Sequence, residues 1–83
     1  MSIQLSDINM ALQNELMPHV LEVIDDSHQH AGHYVGNGVS HISIRIDAPC
    51  LAGLSRVEKT RVVLRVLKPF LDQGLHAVRL YPT

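Results

Sequence analysis

The chain has 83 residues, and 7 Lys or Arg stand against 8 Asp or Glu, which gives a net charge of −1. A chain of this length is expected to form one domain, and its balanced charge excludes a strong general attraction to nucleic acid or to an anionic membrane. Cys50 is the only cysteine, so one chain can neither close a disulfide nor complete a cysteine metal site, which suits a reducing compartment. We find neither the pattern of a secretory leader nor an apolar stretch of membrane-spanning length, and we expect a cytoplasmic protein without membrane association.

The first predicted element is a helix, because apolar residues recur at spacings of three and four. They are Leu5, Ile8, Leu12 and Leu16. Such spacing places them on one side of a helix. We expect Ser2 or Ser6 to cap its start and Pro18 to stop it.

Two strands and a loop are predicted next. Residues 20–24 are rich in β-branched side chains and extended in character. From position 41 onward, Ile42, Ile44 and Ile46 alternate with His41, Ser43, Arg45 and Asp47. This alternation predicts a half-buried strand with its polar side chains facing outward. The intervening segment 27–39 is too long for a tight hairpin turn and is predicted to be a mobile loop.

A second helix and a third strand complete the pattern. Ser55 is a candidate N-cap, and the apolar side of the helix is predicted to hold Val57, Leu64, Leu67 and Leu71. Pro69 should kink or restart the helix, which ends near Gly74. Residues 76–81 then alternate as a last strand. The order α-β-β-α-β, with both helices covering one face of the sheet, predicts a two-layer α+β sandwich.

Histidines are the clearest candidates for a chemical role, since the chain holds six. His28, His30 and His33 share the predicted loop and could bind one metal ion such as zinc or copper, although a solvated loop without a ligand fits equally well. His76 begins the last strand, where it is either a histidine at the core edge satisfied by a backbone carbonyl or a ligand. His41 is interpreted as an ordinary strand residue.

Other reactive or charged residues give weaker signals. Cys50 is expected to be a small buried hydrophobic residue rather than a nucleophile. The second helix carries a basic set, which is either solvated or able to contact phosphates or an acidic partner. This set comprises Arg56, Lys59, Arg61, Arg65 and Lys68. Phosphate-binding loops, dinucleotide turns and hydrolase elbows are absent from the sequence, which argues against an enzyme.

Several segments together resemble the BolA family. They are Leu21-Glu22-Val23, Asp25-Asp26-Ser27-His28-Gln29-His30-Ala31-Gly32-His33, Ser40-His41, Leu51-Ala52-Gly53 and Leu75-His76-Ala77-Val78. The resemblance implies a fold similar to the class II KH topology, with a short helical turn before the long second helix. It also implies a two-iron, two-sulfur cluster shared with a monothiol glutaredoxin and glutathione, and, for some bacterial members, DNA binding as a transcriptional regulator.

The resemblance also implies which residues would carry these roles. The histidine of the family's His-Ala-Leu segment, a cluster ligand, corresponds to His76. The second ligand comes from the loop, where His33 is the first choice and His30 and His28 follow. The family's Arg-His-Arg in the long helix is Lys59-Thr60-Arg61 here, so a role of the central imidazole is lost.

We therefore predict that residues 1–83 form one BolA-like domain that acts as a non-enzymatic adaptor in iron–sulfur cluster assembly, trafficking or iron sensing. A two-iron, two-sulfur cluster needs four ligands, so the isolated chain should hold none and should bind one only together with its partner. The alternative is a DNA-binding regulator that uses the helix at 55–68, with weak DNA affinity. The sequence leaves a homodimer open.

Overall fold

The computed structural model describes residues 3–27 and 39–81 of the chain. Its elements are α1 (Leu5–Leu16), β1 (Val20–Asp25), β2 (His41–Asp47), a short 3-10 turn (Pro49–Leu51), α2 (Arg56–Asp72) and β3 (Ala77–Tyr81). Three strands and two helices make the small α+β fold that the sequence predicts. The predicted mobile loop at 27–39 lies outside the described residues, apart from its two end residues.

The three strands form one sheet in the order β1-β2-β3. β1 pairs with β2 antiparallel, whereas β2 pairs with β3 in parallel, so that α2 is the crossover between them. The isoleucines of β2 face the helices, and its other side chains face the uncovered side of the sheet. Ser43 on that side is only 4% exposed, which corrects the expectation that it simply faces solvent. It lies on the central strand between Ile24 and Arg79, two larger neighbours.

The core lies between this sheet and the two helices. Its buried members include Ile8, Leu12 and Leu16 of α1, Ile42, Ile44 and Ile46 of β2, and Val63 and Leu67 of α2. Val57 was predicted to belong to the apolar side of α2, but it is 60% exposed. Val63 takes the buried position because it is four residues before Leu67 and therefore one helical turn away from it.

α1 begins and ends through its backbone rather than through a serine cap. Gln4 is the N-cap, and its carbonyl accepts hydrogen bonds from the N–H groups of Asp7 and Ile8 at 3.1 and 3.3 Å. Ser6 lies inside the helix, so its predicted role as the cap is wrong, and the prediction for Ser2 falls outside the described residues. At the other end Met17 adopts the left-handed conformation with φ of 46°, which ends the helix immediately before Pro18, as predicted.

α2 begins where the sequence predicts, because Ser55 and Glu58 form a reciprocal capping box. The helix continues through Pro69 to Asp72, so the predicted restart is wrong, and the alternative kink stays a prediction. Pro69 is tolerated because it stands on the exposed side of the last turn, where water can reach the carbonyl that its missing N–H leaves unbonded. Gly74, with φ of 118°, then turns the chain toward β3.

Candidate functional site

His41 and His76 are brought together by the parallel pairing of β2 and β3. Parallel strands start at the same end of a sheet, and His41 is the register partner of Ala77. The residue before Ala77 is therefore adjacent to the start of β2. The rings of His41 and His76 have centroids 5.3 Å apart and planes tilted by 59°.

The backbone of His76 is fixed although its side chain is exposed. Its N–H donates to the carbonyl of Ser40 at 2.7 Å, and the next N–H, from Ala77, donates to the same carbonyl at 3.1 Å. On the other side, Leu75 is only 3% exposed and anchors the segment in the core. His76 lies just before β3 rather than at its first position as predicted, and it is exposed, so the alternative of a histidine packed at the core edge is wrong.

Two serines position this region from the side of β2. The hydroxyl oxygen of Ser27 accepts hydrogen bonds from the N–H groups of Ser40 at 2.8 Å and His41 at 3.2 Å. Ser40 itself is 1% exposed, and its hydroxyl lies 2.9 Å from Nδ1 of His41. We call Ser27, Ser40, His41 and His76 the serine–histidine cluster.

The serine–histidine cluster also holds the two attachment points of the histidine-bearing segment. Ser27 precedes residues 28–38 and Ser40 follows them closely, and the Ser27 hydroxyl bonds to the Ser40 backbone. In addition, the N–H of Asp26 donates to the carbonyl of His41 at 2.8 Å. His28, His30 and His33, the predicted loop ligands, lie outside the described residues, so their choice as ligands stays a prediction.

His41 is the residue that sequence reasoning missed, since it was interpreted as an ordinary strand residue. The signal that would have found it is the parallel register of β2 and β3, which aligns the two strand starts. Hydropathy alternation reports which face a strand residue occupies, but it does not report the neighbouring strand. Across residues 3–27 and 39–81, no three His, Cys, Asp or Glu side chains gather as a metal site.

Cys50 is exposed rather than buried, so that prediction is wrong. It stands in the 3-10 turn, where Leu51 takes the buried position at 2% exposure. The turn follows the far end of β2, and a seven-residue strand spans roughly 20 Å. Cys50 therefore lies at the opposite end of the sheet from the serine–histidine cluster.

A second polar group occupies the uncovered side of the sheet. The hydroxyl of Ser43 donates to a carboxylate oxygen of Asp26, and Arg79 donates to the Tyr81 hydroxyl at 3.2 Å. Hydrogen bonds with Arg79 and Ser43 lower the pKa of Tyr81. The hydrogen bond with Tyr81 in turn raises the pKa of Arg79. These interactions satisfy the polar groups of this face with each other.

The basic set on α2 divides into two parts. Arg61, Arg65 and Lys68 recur at spacings of four and three and are exposed; we call them the cationic stripe. Lys68 forms an ion pair with Asp72 at 3.5 Å, with both side chains well exposed. Arg56 is exposed at the start of the helix and Lys59 is half-buried, and neither continues the stripe.

Thr60 stands where the resemblance expects an imidazole. Its hydroxyl donates to the Arg56 carbonyl at 2.9 Å, a bond within its own helix. The position therefore contributes to the local structure of α2.

Within the described part of the chain, no helix has the length and apolar character needed to cross a membrane. The fold and site thus define a small α+β domain with an exposed, backbone-fixed histidine before its last strand. A family model described as BolA-like protein matches residues 12–83. The chain belongs to the BolA-like family.

Individual relatives and solved structures agree with this assignment. An uncharacterized protein in the cobS 5′ region of Sinorhizobium sp. is 48% identical over 68 residues, covering 78% of this chain and 73% of that protein. Chloroplastic BOLA1 of Arabidopsis thaliana is 37% identical and is matched over 83% of this chain but only 46% of its own length. The BolA domain of SufE1 from Arabidopsis thaliana superposes with a TM-score of 0.84 at 37% identity, covering 94% of this chain and 87% of that one.

The BolA-like domain also occurs as a part of larger proteins. The chain spans 21% of SufE-like protein 1, chloroplastic/mitochondrial, from Arabidopsis thaliana, to which it is 37% identical over 79 residues.

Proposed function

We propose that this protein is a cytoplasmic, non-enzymatic adaptor that shares a two-iron, two-sulfur cluster with a monothiol glutaredoxin and glutathione, in cluster assembly, trafficking or iron sensing. The observation that carries the proposal is His76: an exposed imidazole on a backbone fixed by Ser40, beside the attachment points of a segment with three more histidines.

The chemistry of the donor set fits a shared cluster. Such a cluster needs four ligands, and imidazoles can replace two of the thiolates. The only thiol of this chain, on Cys50, is at the far end of the sheet, so this chain would supply imidazoles. The remaining two ligands would come from the glutaredoxin thiolate and glutathione. His76 would be one ligand, and His33, or else His30 or His28, the second.

The test is cluster formation by the full chain mixed with a monothiol glutaredoxin and glutathione, read by visible absorption and circular dichroism. His76→Ala should lose or strongly change the visible spectrum of the mixed complex. His19→Ala is the matched control, because His19 is also exposed but donates its N–H to Asp47 at the opposite end of β2. Wild-type spectra from the His76 variant would contradict the proposal.

Four further single variants locate the remaining ligand. Single alanine changes at His28, His30 and His33 should give one strong effect and two weak ones. Cys50→Ser should leave the cluster intact, because Cys50 lies roughly 20 Å away along β2. A cluster lost in the Cys50 variant would show that the thiol is a ligand.

The second candidate function, transcriptional regulation through DNA, is favoured by the cationic stripe alone. Three exposed cations on one side of α2 could make at most about three phosphate contacts, which gives a shallow dependence of affinity on salt. The class II KH-like topology implied by the family resemblance would accompany such a role. Titrating duplex DNA at two salt concentrations tests it, and tight, sequence-selective binding at physiological salt would rank this function first.

A further inference from the structure

The two helices carry opposite net charges, although they pack against each other. α1 holds two acidic side chains, Asp7 and Glu15, and no basic one, which gives it a net charge of −2. α2 holds five basic and two acidic side chains, which gives it a net charge of +3. The whole chain is nearly neutral at −1, and no Lys or Arg precedes Arg45. Acidic and basic side chains are therefore separated onto different helices.

The charges on the outer side of the helices are available to a partner. Asp7 and Glu15 of α1 are exposed, and so are Arg61 and Arg65 of α2. None of these four forms an ion pair with another described residue. A surface that carries exposed charges of both signs in separate regions can be complementary to a second copy of itself, related by a two-fold axis.

The helices run antiparallel, which determines which of their ends would meet in such a pair. The carbonyl of Leu16, at the end of α1, lies 4.0 Å from Sγ of Cys50, in the turn that leads to α2. At the other end, the carbonyl of Ile3 accepts a hydrogen bond from the N–H of Val39 at 3.0 Å, next in the chain to the serine–histidine cluster that follows α2. The end of α1 therefore lies beside the start of α2.

We propose that the outer side of the two helices binds a second copy of this chain in a two-fold symmetric dimer. A two-fold axis parallel to the helices places α1 of each copy over α2 of the other, so an acidic helix faces a basic one twice. An axis across the helices would place like charges together. Asp7, near the start of α1, then lies opposite Arg65 and Lys68, near the end of α2. The inference rests neither on the cluster role nor on DNA binding.

Exposed apolar side chains add a non-polar contact at the other end of the helices. Met17, directly after α1, is 76% exposed, and Val57, in the first turn of α2, is 60% exposed. Val57 lines an open groove of about 310 Å³ together with Arg56, Thr60 and Arg61. In the two-fold arrangement Met17 of one copy lies over this groove of the other. An unbranched methionine side chain adapts well to an irregular apolar surface.

The expected dimer is weak, reversible and sensitive to salt. With 12 and 17 residues, α1 and α2 are about 18 and about 25 Å long. Two helices of this length, at a usual separation of about 10 Å, offer an area at the small end of stable interfaces. Salt screens the attraction between exposed charges. Dimerisation should therefore be strongest at low salt and high chain concentration.

The experiment is sedimentation equilibrium of the full chain with a reductant present, at about 0.1 M and about 1 M salt, between which the screening length falls from about 10 to about 3 Å. Wild type should dimerise at the lower salt within chain concentrations up to about 1 mM and dissociate at the higher salt. Asp7→Lys and Arg65→Glu should each weaken the dimer about tenfold or more, because each dimer contains the contact twice. The combined Asp7→Lys/Arg65→Glu variant restores opposite charges and should regain most of the affinity.

Glu22→Lys is the matched control for Asp7→Lys. It makes the same change of net charge at an exposed position, but Glu22 lies beside Arg45 on the uncovered side of the sheet, away from the outer side of the helices. This variant should dimerise as wild type does. Far-UV circular dichroism verifies that each variant is folded.

A wild-type chain that stays monomeric at low salt over the whole concentration range would overturn the proposal and leave the helical surface to another partner. So would a dimer that neither charge reversal weakens, a dimer that Glu22→Lys weakens equally, or a folded charge-swapped variant that recovers no affinity. A dimer that forms only without reductant would be a Cys50 disulfide and would also contradict the proposal. Because neither glutaredoxin nor DNA is present, these outcomes are independent of the proposed function.

Discussion

The serine–histidine cluster and the cationic stripe are both polar and surface-accessible, yet they are built in different ways. The cluster joins residues that follow the end of β1 and lie at the starts of β2 and β3, and hydrogen bonds of 2.7–3.2 Å from backbone N–H groups to the Ser40 carbonyl and the Ser27 hydroxyl hold it. The stripe lies on one helix, and its best-defined contact is the exposed pair between Lys68 and Asp72 at 3.5 Å. Exposed pairs of this kind typically contribute less than about 1 kcal/mol.

The two regions differ in when the entropy cost of ordering their backbone and side chains is incurred. In the cluster, folding itself fixes the backbone that carries the imidazoles, so a ligand needs to order little more. In the stripe, long side chains keep their rotamer freedom until a partner arrives, at a cost of up to about 2 kcal/mol for each. The first arrangement favours geometric selectivity, and the second favours loose, salt-dependent contact.

The largest expected effect comes from removing the buried side chain that anchors the serine–histidine cluster in the core. Leu75→Ala removes a 3% exposed side chain next to His76 and should lower the free energy of unfolding by about 2–5 kcal/mol. Val57→Ala on α2, at 60% exposure, should change it by about 0.5 kcal/mol or less. Urea unfolding followed by circular dichroism measures both, and equal effects would show that the cluster is not anchored through Leu75.

A smaller effect should follow from removing the hydroxyl that joins the strands. Ser27→Ala leaves the N–H groups of Ser40 and His41 without their side-chain acceptor and should cost about 1–3 kcal/mol. Hydrogen exchange at these two amides should accelerate. Ser6→Ala, an exposed change within α1, is the control and should affect neither amide. Unchanged protection in the Ser27 variant would mean that the strands alone hold the cluster.

The smallest expected effect concerns the capping box of Ser55 and Glu58 at the start of α2. Hydrogen bonds from the backbone and side chain of Ser55 lower the pKa of the exposed Glu58. A lowered carboxyl pKa stabilises the fold above the unfolded pKa of about 4.3, and that contribution disappears as pH falls through the folded value. Glu58→Gln should therefore lose a little stability near neutral pH and almost none in acid. Urea unfolding at about pH 7 and about pH 3 tests this; a deficit equal at both would contradict it.

The sequence predicted most of the elements because their signals are local. The start of α2 at Ser55 needs only a serine followed three residues later by a glutamate. The assignment of Val57 to the buried side of α2 was wrong because α2 carries apolar residues on more than one side, and tertiary packing decides which side is buried. Cys50 was placed wrongly for a related reason, since a turn of three residues has no periodicity that distinguishes it from Leu51.

The site was predicted only in part. His76 was predicted as a ligand through the family resemblance, whereas its proximity to His41 depends on a pairing between distant segments. Ser43 shows the same limit: alternation indicates its face correctly, whereas its burial depends on residues from β1 and β3.

The parallel pairing of β2 with β3 also has a consequence for how the chain acquires its native state. β1 and β2 are antiparallel neighbours along the chain. His41, in contrast, pairs with Ala77, which lies nearly half the sequence away, with α2 in between. Long-range contacts of this kind form late because the chain must lose the entropy of loop closure before the contacts can stabilise it. During synthesis the ribosome must release β3 before the two imidazoles can meet. A nascent chain lacking β3 would expose one edge of β2 and have no complete serine–histidine cluster, so completion of the fold and assembly of the site coincide.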